Sequence, residues 1–221
     1  MKINLCKYDA VIFDMDGVLV DSEPLWKIAM HEVFSSLGST LEKKDFQKTV
    51  GLRIDEVIFY WKNIENWKPS VIEIEEQIIN KMISLINAQA TPLIGVIDTL
   101  DYLSGRLPIA VASSSPFRLI NAVLNKLDIL HYFKVVHSAE EEDFGKPHPA
   151  VFISAARKMG KTPEKCLVIE DSLTGVVAGK AAKMDVVAIP EKTHFPNTRI
   201  NLADYLFEDM GLFLEKLRSE S

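Results

Sequence analysis

Five short runs of mostly aliphatic residues punctuate the chain: AVIFD at 10–14, LPIAVAS at 107–113, FKVVHS at 133–138, KCLVIED at 165–171 and DVVAIP at 185–190. Each is apolar along its middle and does not alternate with polar residues, which is the pattern of a strand buried on both faces. Between most of them lie segments with apolar residues three and four apart, from Pro116 to Leu127, His148 to Met159 and Ser172 to Met184, which read as helices. Strands alternating with helices require right-handed crossovers, so the fold class is α/β, a Rossmann-like parallel sheet covered by helices. With 221 residues, 48% of them hydrophobic, the chain can bury a full core as one large domain or as one domain carrying an insert.

The alternation breaks once. Between about Ser22 and Ala90 no strand-like run occurs and four helical patterns follow one another. This predicts an α/β core of residues 1–20 and 91–221, with a helical bundle inserted at 21–90. The first inserted helix has Ser22 as N-cap and Pro24 in its first turn, and stops at Gly38. The last starts at Ser70 and ends before Pro92.

The net charge of -6 gives no overall field that would attract nucleic acid or an anionic membrane surface, so neither is an expected partner. Cys6 and Cys166 lie far apart, which suggests neither a disulfide framework nor a thiolate metal site. The N-terminal MKINLCKYDA has too short an apolar stretch for a signal peptide, and no run approaches the roughly 18 apolar residues of a membrane span. The expectation is a cytoplasmic protein, monomeric, acting on a small molecule.

In a parallel α/β sheet, ligands bind outside the carboxyl ends of the strands. There the sequence places Asp14 and Asp16 after the first run, Ser113, Ser114 and Ser115 after the second, Lys146 in FGKPHP, and Glu170 and Asp171 after the fourth. Four carboxylates in one crevice would repel one another unless a cation sat among them, and an all-oxygen donor set selects Mg²⁺. Mg²⁺ commonly shares its coordination with a substrate phosphate. Lys146 and the start of the helix after Ser115, with its free N–H groups, would hold that phosphate. Asp14, at the strand tip, is then the candidate nucleophile, and Asp16 the group that protonates the leaving oxygen and later deprotonates water.

The segments DMDGVLVDSEP, ASSS, GKPHP and IEDS, in this order, resemble the four motifs of the haloacid dehalogenase superfamily, in its branch of sugar phosphatases and β-phosphoglucomutase-like enzymes with a helical cap. The resemblance spans essentially the whole chain. It implies Asp14 as nucleophile, Asp16 as acid/base with its backbone carbonyl on Mg²⁺, Ser113 and Lys146 as phosphate binders, and Glu170 and Asp171 as the acidic pair holding the metal. VGLRIDE is similar to a cap segment that reaches the rest of the substrate, which makes Arg53 a specificity candidate. Asp16 separates the chain from the dehalogenases, which lack a second aspartate. Trp26 stands where the mutases carry a histidine, which favours hydrolysis over a phosphohexomutase reaction. The run FDMDG…DSEPLW…GLRIDEV looks most like bacterial hexose phosphatases acting on sugar 6-phosphates such as 2-deoxyglucose 6-phosphate. A non-enzymatic rival is a receiver-type switch phosphorylated on aspartate, but such modules are smaller and lack a helical insert.

Other features have plainer readings. MGKT at 159–162 imitates the tail of a phosphate-binding loop, but Ala155 occupies the required first glycine, so Gly160 reads as a helix C-cap. His31, His131, His137, His148 and His194 have no metal-ligand spacing. Trp26, Trp61 and Trp67 read as packing residues of the insert, with Trp26 near enough to the aspartates to line a pocket. Ser114 is a substrate-binding candidate beside Ser113; the plainer reading of Ser114 and Ser115 is that they serve through their backbones or as caps, and the acidic run 140–143 reads as a solvated loop.

Overall fold

The computed structural model describes residues 3–42, 44–49, 52–190 and 198–220. His194, and Val50 and Gly51 of the VGLRIDE segment, lie outside the described residues. The five apolar runs form β1 (Ala10–Phe13), β2 (Ile109–Ser113), β3 (Val135–Ser138), β4 (Cys166–Glu170) and β5 (Asp185–Ala188). A further two-residue strand, β6 (Tyr205–Leu206), extends the edge, and the order β3-β2-β1-β4-β5-β6 is parallel throughout. The strand order reverses between β1 and β4, and a crevice opens at such a switch point. Asp14 and Glu170 therefore come to lie at neighbouring strand ends, aligned by the pairing of Phe13 with Ile169.

Strand alternation sends side chains to two cores. Val11, Phe13, Val111 and Ile169 face one side, and Ala10, Ile12, Ala110 and Val168 face the other. The first core receives α4 (Val96–Ser104), α5 (Phe117–Lys126) and α8 (Met210–Ser219); the second receives α6 (Ala150–Lys158) and α7 (Leu173–Ala181). Gly160, at φ +71°, ends α6: Lys161 N–H donates to Ala156 O and Gly160 N–H to Arg157 O, the paired bonds of a Schellman turn.

The stretch between β1 and β2 holds α1 (Glu23–Ser36), α2 (Ile54–Glu65) and α3 (Val71–Gln89). The four helical patterns become these three α-helices and one short 3₁₀ turn at Asp45–Thr49. There Phe46 is the buried anchor and packs edge-on against Phe34 of α1. Ser70 starts α3 as expected, its hydroxyl accepting from Glu73 N–H while Glu73 Oε2 accepts from Ser70 N–H at 2.8 Å, a reciprocal box that satisfies two end donors. α3 packs on α1 and α2, and also on α5 of the sheet layer, so the buried residues of the helical stretch are continuous with the first core. Trp61 and Trp67 are buried in this packing.

At α1 the expectation needs correction. Ser22 stands at the N-cap and Pro24 lies in the first turn, but Ser22 is helical in conformation (φ −97°, ψ −16°) and its side chain caps nothing. The acidic run after β3 is largely solvent-exposed, as expected, with Glu142 half-buried, and it also makes side-chain bonds. Glu140 accepts from Phe117 N–H at 2.9 Å, Glu142 bonds His137 Nε2 at 2.7 Å, and Glu141 pairs with Lys158. Of these groups His137 is buried, and Glu142 satisfies its Nε2.

Candidate active site

β1 delivers Asp14 into the crevice, and Asp14 N–H continues the ladder by donating to Ile169 O at 2.9 Å. The chain then turns sharply. Val18, Leu19 and Val20 N–H all point at Met15 O, Gly17 N–H donates to Val20 O, and Leu93 N–H closes the turn on Leu19 O. Gly17 makes this possible on two counts. Its φ is +74°, and a Cβ there would sit 2.2 Å from Asp171 Oδ2, so any other residue type would have to displace that carboxylate. Gly175 of α7 answers a similar need, since a Cβ on it would fall 1.7 Å from Glu170 Oε1.

Lys146 sits behind Asp14, 3% exposed, with Nζ 2.7 Å from Asp14 Oδ1 and 2.6 Å from Glu170 Oε1. Burial alone would lower the ammonium pKa, but the two carboxylates outweigh it and hold the pKa above its usual value. Glu170 is fully buried, and its Oε2 accepts from Asp171 N–H, Ser172 N–H and Ser172 Oγ at 2.9–3.0 Å. It anchors Lys146 from beneath and does not line the cavity. Burial pushes the Asp14 carboxyl up to about 7; Lys146 opposes this, and Glu170 and Asp16 add to it.

Asp14, Glu170 and Asp171 each offer an oxygen within 4.8 Å of the others. One ammonium among three carboxylates leaves surplus negative charge, and the donors are all hard oxygens. This donor set fits a metal ion of the Mg²⁺ type. The Asp16 carboxylate is not part of that group. It is turned to Ser22 Oγ at 2.6 Å and Trp26 Nε1 at 3.1 Å through Oδ1, and to Ser115 Oγ at 2.8 Å and Ser113 Oγ at 3.4 Å through Oδ2.

A cavity of about 100 Å³ opens over these groups. Asp14, Asp16, Ser113, Ser114, Lys146 and Asp171 form its floor, while Trp26, Met30, Phe46, Leu52, Ile54 and Val57 give an apolar wall from the helical stretch. Ser114 Oγ is buried there without a hydrogen-bond partner among the described residues, a donor left for a ligand oxygen. The start of α5 is less open than the sequence suggests. Phe117 N–H is taken by Glu140, and Ser115 N–H by Ser113 Oγ at 3.0 Å. Arg53 is not in the cavity wall: its Nη1 donates to Ala139 O and Glu142 O at 3.1 and 2.7 Å, and its other nitrogens hold Asp55. The roles of Ser22 and Ser115 escaped the sequence reading. The available signal was that Ser22 and Trp26 lie four apart at the start of a helix and so share the face that looks back at Asp16.

A nucleophile candidate at a strand tip, a buried lysine and an acidic cation site at the switch point of a 3-2-1-4-5-6 sheet define a hydrolase of the haloacid dehalogenase type. Residues 8–183 match the family of haloacid dehalogenase-like hydrolases, and the chain belongs to it as an enzyme of the phosphatase kind. Among its relatives, hexitol phosphatase B of Escherichia coli (strain K12) is 38% identical over 198 residues, covering 88% of this chain and 89% of the relative. Fructose-1-phosphate phosphatase YqaB of the same strain is 32% identical over 189 residues, covering 83% of this chain and 97% of its own. The solved β-phosphoglucomutase of Clostridium difficile shares the fold, with a TM-score of 0.82 and 25% identity over 96% of this chain and 98% of that one. No helix among the described residues is long and apolar enough to cross a membrane.

Proposed function

We propose that the protein is a Mg²⁺-dependent phosphatase of small phosphorylated sugars, hexose or hexitol phosphates among them, working through an aspartyl-phosphate. The observation that carries this reading is the buried Asp14–Lys146–Glu170 arrangement beneath a cavity that also exposes Asp16 and an unpartnered Ser114 hydroxyl. Residues 21–90 act as a cap: they supply the apolar wall and exclude bulk water from the reacting phosphate.

Asp14 attacks phosphorus, forming a P–O bond while the P–O bond to the sugar breaks. Asp16 gives its proton to the departing sugar oxygen. A water then attacks the aspartyl-phosphate, Asp16 takes up its proton, and inorganic phosphate leaves with Asp14 regenerated. Lys146, Ser113 and Ser114 hold the phosphate oxygens, Lys146 and Ser113 being positioned in advance by the contacts described above. Asp14 and Asp171, with the Asp16 carbonyl and Glu170 behind them, would hold the Mg²⁺, which when bound neutralises the charge on the phosphoryl oxygens.

Phosphate release should be assayed with Mg²⁺ across a panel of sugar, polyol and non-sugar phosphates, with Asp14→Asn as control. Turnover should be greatest on a sugar or polyol monophosphate and fall at least about 10³-fold in the variant. Retained release by Asp14→Asn sinks the mechanism; conversion of a sugar 1-phosphate into its 6-phosphate without phosphate release would make the protein a mutase.

A further inference from the structure

We propose that Ser22 and Trp26, at the start of α1, are positioning residues for Asp16: they lock one carboxylate oxygen so that the other is presented to the leaving group. The inference rests on the acid/base role of Asp16 proposed above. Its support is the division of hydrogen bonds across that carboxylate. Oδ1 accepts from Ser22 Oγ at 2.6 Å and from Trp26 Nε1 at 3.1 Å, which fills both of its lone-pair directions. Among the described residues, Oδ2 meets only the hydroxyls of Ser115, at 2.8 Å, and Ser113, at 3.4 Å.

These two pairs of donors differ in kind. An indole N–H can only donate, so Trp26 keeps Oδ1 an acceptor whatever happens at the phosphate. A hydroxyl can rotate from donor to acceptor, so Ser115 tolerates a proton on Oδ2 as readily as its absence. The transferable proton is thereby assigned to Oδ2, on the side of the carboxylate that faces the phosphate-binding serines.

The conformation of Ser22 points the same way. A serine at an N-cap ordinarily accepts from the N–H two or three residues on, as Ser70 and Ser172 do in this chain. Ser22 occupies that position, is fully buried, makes no such bond, and turns its hydroxyl to Asp16. The helix start gives up a cap in order to hold a carboxylate six residues upstream. Because both donors sit on the first turn of α1, the acid/base is oriented by the same element that lines the sugar side of the cavity.

Removing only the donor atoms tests this. Trp26→Phe keeps the ring and deletes the N–H; Ser22→Ala deletes the hydroxyl and Ser22→Thr restores one. Each variant, with Asp16→Asn, is assayed in Mg²⁺ on the best alkyl phosphate of the panel and for the pre-steady-state burst from p-nitrophenyl phosphate, whose leaving group needs no proton. Trp26→Phe with Ser22→Ala should lower kcat on the alkyl phosphate about tenfold or more relative to its effect on the aryl burst, with KM moved less than kcat. Ser22→Thr should recover most of the loss that Ser22→Ala alone produces. Equal losses on both substrates, or an unchanged kcat on the alkyl phosphate, would overturn the proposal while an Asp16→Asn effect confined to the alkyl phosphate left the acid/base role standing. If Asp16→Asn itself lowers both equally, the acid/base role fails and this inference with it.

Discussion

Lys146 Nζ donates to Asp14 Oδ1 at 2.7 Å with the two side chains only 2% and 8% exposed, so the nucleophile candidate and the cation beside it form a buried pair. Such a pair contributes little net stability when intact, because desolvation offsets the attraction, but removing one partner strands the other.

Lys146→Met should therefore destabilise the protein by about 3–5 kcal/mol, since it leaves both Asp14 and Glu170 buried without their shared cation. Adding Asp14→Asn to it should recover part of that loss. Urea unfolding of the two variants measures this, and a double variant no more stable than the single would contradict the pairing.

Metal binding should depend on pH in a defined direction. The Asp14 pKa is raised from 3.8 to about 7, chiefly by burial, so the folded metal-free protein holds a proton that the unfolded chain has already released. The stability from that proton is complete below about pH 4 and is lost as pH rises toward 7. Mg²⁺ must displace the same proton, so its affinity should climb up to about pH 7 and level off above it. Thermal shifts on adding Mg²⁺ at pH 6 and pH 8 would check this: a larger shift at pH 6 has the wrong sign.

Gly17→Ala should damage metal binding more than folding. The turn tolerates a left-handed alanine for about 1–2 kcal/mol, but the new methyl would displace the Asp171 carboxylate. Calorimetric titration with Mg²⁺ should show affinity weakened at least about tenfold, beside a modest drop in Tm. Wild-type affinity would mean that Asp171 is not a ligand.

Arg53 ties α2 to the loop that carries Lys146 through the carbonyls of Ala139 and Glu142. Arg53→Met should lower stability by about 1–3 kcal/mol through these lost charge-assisted bonds. Measuring KM on the same variant separates this bracing role from substrate contact: a large rise in KM at unchanged stability would return Arg53 to the pocket.

Much of this was legible in the order of residues. The continuous apolar runs specify strands buried on both faces, and a parallel sheet must then gather whatever follows each strand at one edge. Asp14, Ser113, Lys146 and Asp171 could be grouped for that reason without coordinates. The need for Gly17 appeared only in the fold, where its φ of +74° and the nearness of Asp171 Oδ2 are set. β6 was not legible, since two residues carry no period and Tyr205–Leu206 pairs only because β5 offers an edge.

Tertiary structure alone decided which donor meets which acceptor. Local preference made Ser22 a helix cap and the start of α5 an open anion site. In the folded protein the half-buried Asp16 carboxylate takes Ser22 away from its helix end, and Phe117 N–H, the first of α5, takes Glu140 from 23 residues away. Periodicity reports which face of an element is apolar. It does not report where a polar atom on that face will find its hydrogen bond, because that depends on the packing of elements that only the completed fold brings together.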